Sequence, residues 1–132
     1  MSLCHHIGLF SRDPETLLFF YTKKLGFEHQ GTKSISADWM TKIFGVSAPC
    51  RLIKLRSGSA VVEIFHLQAG GLDERSDPSM GYNHWGFAVE NKEAYVRQLE
   101  KKGVPVLKLE GTGKYIYFIR DPEGNLIEIY ES

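Results

Sequence analysis

The chain has 132 residues, 42% of them hydrophobic, which is enough to form a core and too many for a disordered segment. Sixteen basic and sixteen acidic residues leave no formal net charge, so nothing in the composition favours a nucleic-acid backbone. Apolar runs fall short of the roughly 20 residues that span a bilayer. The N-terminus shows no signal-peptide pattern, so a cytoplasmic location is expected. Two cysteines, Cys4 and Cys50, without a CxxC pattern, read as reduced thiols.

In chain order, His6-Ile7-Gly8-Leu9-Phe10 reads as a short strand. Asp13 then suits a helix N-cap with Pro14 at the first helical position, which predicts a helix over 14–24 that Gly26 ends. Residues 29–50 form a longer connection. Within it, Ala37 to Phe44 has the pattern of a short amphipathic helix, either a surface elaboration or a wall over a pocket. Two further strands follow, 53–58 and 61–65, arranged as a hairpin with Glu63 in the second. A Gly/Asp/Ser/Pro-rich linker is expected over 70–81.

The pattern then repeats. His84-Trp85-Gly86-Phe87-Ala88 matches His6 to Phe10, and Asn91 stands where Asp13 stood. A helix is expected over 92–102 and is closed by Gly103; a second hairpin ends in Leu126-Ile127-Glu128-Ile129-Tyr130. The fold class is therefore α+β: one domain of two βαβββ modules, 1–69 and 82–132.

Side chains alternate along a strand, so His6, Gly8 and Phe10 share one face, and His84, Gly86 and Ala88 share another. Glu63 and Glu128 sit in strands that are otherwise apolar. A carboxylate there needs compensation, which Arg56 or Arg120 could provide; a divalent metal would compensate both carboxylates at once. Because the His and the Glu each occur twice in register, the expectation is one divalent ion, Ni, Zn, Mn, Co or Fe, held by His6, Glu63, His84 and Glu128. His5 is out of phase, and His29 and His66 have no counterpart in the repeat, so these three are expected outside the ligand set.

These motifs resemble the vicinal oxygen chelate superfamily, which includes lactoylglutathione lyase, epimerases, extradiol dioxygenases and bleomycin-resistance proteins. The resemblance rests on His6-Ile7-Gly8-Leu9, Leu25-Gly26-Phe27, Val62-Glu63-Ile64-Phe65, His84-Trp85-Gly86-Phe87 and Asp121-Pro122-Glu123-Gly124-Asn125 running to Glu128. It implies a cup-shaped mixed sheet with helices outside, a homodimer, and a small-molecule substrate with vicinal oxygens, with no role for membrane or nucleic acid. The fourth ligand position, filled here by Glu63, is characteristic of the lyase and isomerase branch. By resemblance, a metal-stabilised enediolate would form, with Glu128 as the base and Glu63 as its counterpart. Phe10, Phe65 and Tyr117, with Tyr115, are candidate pocket residues; Lys114 and Arg120 are candidates for holding an anionic group. Phe10 and Leu67 replace polar residues that many lactoylglutathione lyases carry, which argues against glutathione. The alternatives are an Fe- or Mn-dependent dioxygenase and a non-catalytic drug-binding protein.

Overall fold

The computed structural model describes residues 2–68 and 81–132. The chain divides into two compact units, Met1–Glu74 and Arg75–Ser132. Apart from Gly81, the expected linker lies outside the described residues.

The first unit runs β1 (Ile7–Phe10), α1 (Pro14–Phe19), β2 (Glu28–Ile35), α2 (Ala37–Phe44), β3 (Cys50–Ser57) and β4 (Ala60–Leu67). Its sheet has the order β1-β4-β3-β2, with β1 parallel to β4 and the other pairs antiparallel. The second unit runs β5 (His84–Val89), α3 (Lys92–Lys101), β6 (Leu107–Gly111), β7 (Lys114–Arg120) and β8 (Leu126–Glu131), and its sheet has the equivalent order β5-β8-β7-β6. This is the βαβββ pattern twice, an α+β fold of two four-stranded mixed sheets.

The helix starts follow from their caps. The Asp13 carboxylate accepts from the Thr16 amide at 3.2 Å and from its hydroxyl at 2.6 Å, while Asn91 accepts from the Ala94 amide at 2.9 Å. Those bonds to Thr16 hold the Asp13 carboxyl below its ordinary value. The predicted helix 14–24 has an unexpected second half. From Phe20 to Lys24 it is π-helical, with the Leu25 amide donating to Phe20 at 3.1 Å. The Thr22 hydroxyl there donates to the Leu18 carbonyl at 2.7 Å, a side-chain bond that competes with the regular helical ladder.

Each sheet buries one face under a helix. In the first unit Ile53, Leu55, Val62 and Ile64 are buried, as are Leu17, Phe20 and Tyr21 from α1 and its π-helical extension. In the second unit Phe87, Tyr117, Ile119, Ile127 and Ile129 are buried, as are Val96 and Leu99 of α3. Each fully buried aliphatic side chain contributes roughly 1.5–3 kcal/mol. Glu63 and Glu128 alternate with these core positions and so lie on the opposite faces. The Asp121 carboxylate accepts from the Glu123 and Asn125 amides, both at 3.0 Å, and fixes the turn that delivers Glu128.

Among the described residues, no helix is long and apolar enough to cross a membrane.

A His–Glu pair in each unit

In the first unit, β1 pairs in parallel with β4 so that Gly8 stands opposite Glu63, and His6 sits just before the strand. His6 Nε2 is 3.1 Å from Glu63 Oε1. In the second unit Gly86 stands opposite Glu128, and His84 Nε2 is 3.5 Å from Glu128 Oε2. In both, the residue two after the histidine is a glycine facing the glutamate. A Cβ on Gly86 would come within 3.0 Å of the Glu128 carbonyl oxygen; one on Gly8 would meet the Phe65 ring at 3.3 Å. Gly86 lets the two strands bring histidine and carboxylate together, whereas Gly8 leaves room for the Phe65 ring.

The second imidazole nitrogen has a hydrogen-bond partner in both units. His84 Nδ1 donates to the Asn83 side-chain oxygen, and His6 Nδ1 shares a 2.9 Å hydrogen bond with His5 Nδ1. With Nδ1–H directed at Asn83, a neutral His84 ring would turn an Nε2 lone pair towards a carboxylate oxygen, itself an acceptor. A shared cation would satisfy both acceptors. Orientation of a ligating imidazole through its other nitrogen is the usual support for a metal site. Imidazole and carboxylate donors also suit the divalent ions expected from the sequence. The donors present therefore fit such an ion as two half-sites. Among the described residues, no three His, Cys, Asp or Glu side chains form a ready-made cluster.

Neither arginine compensates a glutamate. Arg56 donates to the Gly58 carbonyl at 3.4 Å, and Arg120 to the Gly124 carbonyl at 2.7 Å, each stapling its own hairpin turn. Arg120 is thus exposed and tied to a turn. Tyr117 pairs with Ile129, so it lies on the face opposite Glu128, where it is buried. Tyr115 shares that face, with the Lys108 ammonium 3.9 Å from its ring centroid. Lys114 is exposed and borders a depression of about 430 Å³ with Lys92, Glu93, Glu110 and Glu131. Neither His84 nor Glu128 lines that depression. His29 bonds Thr32 at 2.8 Å and His66 bonds the Ser11 carbonyl at 3.1 Å.

Phe10 and Phe65 share the face of His6 and Glu63. They form an aromatic triangle with Phe44, with ring centroids 5.2 to 6.0 Å apart. Phe44 comes from α2, the helix inserted in the longer connection. That helix packs onto the ligand-bearing face, where Met40, Ala48, Cys50 and Leu67 form a buried cluster with Phe65 packed against it. Of the 29–50 connection, the part up to Ile35 is edge strand β2, and α2 is the part that forms a wall beside the first half-site. Sequence reading passed over Phe44 and Asn83. The signal for Asn83 was present, because a hydrogen-bonding residue precedes the histidine in both repeats.

The chain is a duplicated βαβββ fold with one His–Glu pair at equivalent register in each module. The chain belongs to the Glyoxalase/Bleomycin resistance protein/Dioxygenase superfamily, whose family model matches residues 3–129. An uncharacterized Bacillus subtilis protein, YwkD, is 28% identical over 130 residues, covering 96% of this chain and 94% of its own length. The crystal structure of SMU.1112c is 25% identical with a TM-score of 0.74, covering 99% of each chain. Lactoylglutathione lyase from Agrobacterium tumefaciens shares the fold at 20% identity and a TM-score of 0.67, with 100% of this chain and 95% of that one covered. The superfamily typically binds a divalent metal and small molecules, often as dimers, and it includes enzymes such as glyoxalase I as well as many non-catalytic members.

Proposed function

We propose that this protein is a divalent-metal-dependent lyase or isomerase of the glyoxalase type, acting on a small substrate with two adjacent oxygens. The carrying observation is the His–Glu pair found at equivalent register in both units. His6, Glu63, His84 and Glu128 together would hold one ion, working in the cytoplasm as a homodimer after the family's habit. The ion would supply Lewis acidity to the two substrate oxygens, easing removal of the neighbouring proton. Glu128 takes that proton and returns it to the adjacent carbon; Glu63 serves the opposite face. His5 and Asn83 would hold the two imidazoles in orientation, with each Nε2 towards its carboxylate. Phe10, Phe65 and Phe44 would offer an apolar wall beside the bound substrate.

Glu63 favours this chemistry over oxygen activation, since the dioxygenase pattern uses three protein ligands. A substrate other than glutathione fits the departures at Phe10 and Leu67. Phe10 is packed against aromatic rings, and Leu67 is buried beneath α2.

The test is metal analysis of native protein and of Glu63→Ala prepared identically. The expected result is about one divalent ion per chain in native protein, held more weakly in the variant. Equal retention by the variant would mean a three-ligand site and bring dioxygenase chemistry forward. Absence of metal from native protein under every loading condition would overturn the proposal and leave a binding protein.

A further inference from the structure

The strand register of the first unit contains a row that the metal reading does not use. Across the sheet, Gly8 of β1 stands opposite Glu63 of β4, Glu63 opposite Lys54 of β3, and Lys54 opposite Gly31 of β2. Residues directly opposite in an antiparallel pair put their side chains on one face, with Cβ atoms about 4.5–5.5 Å apart. Lys54 therefore rises beside Glu63 on the ligand face, with a glycine on its far side and another beyond Glu63. It interrupts a buried run, since Leu52, Ile53 and Leu55 around it are all core residues, while Lys54 itself is half-buried.

Its amine forms no hydrogen bond or ion pair with any described residue, although a carboxylate is its direct neighbour. Glu63 turns to His6 instead. The same row in the second unit reads Gly86, Glu128, Phe118 and Leu107. There the place of Lys54 is taken by Phe118, whose ring packs edge-on against His84 at 5.5 Å. One module thus offers a free ammonium where the other offers an apolar ring. A lysine kept only to complete a sheet would gain more from packing or from pairing with Glu63.

We infer that Lys54 is a substrate-positioning residue that binds an anionic group of the ligand beside the first half-site. The substrate class is then a vicinal-oxygen compound bearing a carboxylate or similar anion. An ammonium this close to a ligating carboxylate opposes the charge of a bound cation, so Lys54 does not serve metal retention. A charge-assisted hydrogen bond to substrate gives it a reason to be there.

This inference rests on the metal-site reading above, and the test separates the two. The full-length protein and its Lys54→Met and Lys54→Arg variants are loaded with Mn²⁺, and free metal is measured. Lactate and its neutral amide, lactamide, are then titrated while water-proton relaxation at the bound ion is followed. The two probes offer the same pair of vicinal oxygens and differ in charge. The expected result is that Lys54→Met holds Mn²⁺ as tightly as native protein or more tightly, binds lactate about tenfold more weakly, and binds lactamide unchanged. Lys54→Arg should recover most of the lactate affinity. If Mn²⁺ loads normally and lactate binds Lys54→Met within about twofold of native protein, the anion role is refuted and the metal site stands. Equal losses for lactate and lactamide would also refute it, because the charge of the ligand would then be irrelevant. If native protein takes up no Mn²⁺, both readings fall together.

Discussion

Substituting alanine for Gly86 separates two ways of building the same half-site. The added Cβ would meet the Glu128 carbonyl oxygen at 3.0 Å and the Glu128 Cβ at 3.3 Å. Both contacts are tighter than ordinary van der Waals separation, and the carbonyl belongs to a strand held on both sides by β5 and β7. Relief requires β5 and β8 to part by a few tenths of an ångström, just where Glu128 is aimed at His84. Overpacking of this kind costs about 1–3 kcal/mol of stability. Displacement of a supporting contact in a metal site commonly costs 10–100-fold in affinity. Gly86→Ala should therefore lower the melting temperature and weaken metal binding by about tenfold, or about 1.4 kcal/mol. Gly8→Ala is the internal control. Its new Cβ meets only the edge of the Phe65 ring at 3.3 Å, and a side chain can turn aside. Thermal denaturation without metal and competition against a chromogenic chelator with metal measure the two effects independently. Wild-type stability and affinity in Gly86→Ala, or a larger defect in Gly8→Ala, would refute the close-approach argument.

Two other outcomes follow from local chemistry. Cys50 is fully buried and its burial raises the thiol pKa, whereas Cys4 is exposed, so a thiol reagent at neutral pH should modify one cysteine in folded protein and both in denaturant; two fast-reacting thiols in the native state would contradict the packing of Cys50 under α2. The Asp13 carboxyl is held below its ordinary 3.8 by Thr16, so its capping contribution is complete above that pH and is lost as pH falls through the lowered folded-state value. Urea unfolding of native protein and Asp13→Asn should show a gap that shrinks between about pH 5 and pH 2, and a constant gap would mean that the charge of the cap is immaterial.

The repeat made much of this molecule legible in advance. Matching His6 with His84 and Glu63 with Glu128 located both pairs, and both helix caps followed from side-chain chemistry at Asp13 and Asn91. The helix Ala37–Phe44 was marked by its own amphipathic pattern, which gives period and length but not the face of the sheet on which the helix lands. That depends on Met40, Ala48, Cys50 and Leu67 meeting, and these residues are distant in sequence. The π-helical turn was hidden for a different reason: its hydrogen-bond slip leaves the residue types of an ordinary helix unchanged. Tyr117 was misplaced by attending to its chemistry rather than its phase, because alternation from Phe118 puts it on the core side. Nothing along the chain marks Lys54; only the register sets it opposite Glu63. Register across strands is a tertiary property, so rows such as Gly8–Glu63–Lys54–Gly31 cannot be read along a single strand.

The parallel pairing of first and last strands bears on how the protein assembles. In each unit the histidine enters with the first strand and the glutamate with the last, and every other element of that unit lies between them in the chain. The β3–β4 and β7–β8 hairpins close locally and early, yet neither contains a complete pair. The long loop that brings His6 to Glu63, or His84 to Glu128, carries the larger entropy of closure and shuts late. A ligand that needs both side chains recognises only the finished module. Its binding energy would go to slowing unfolding and would leave the folding rate almost untouched.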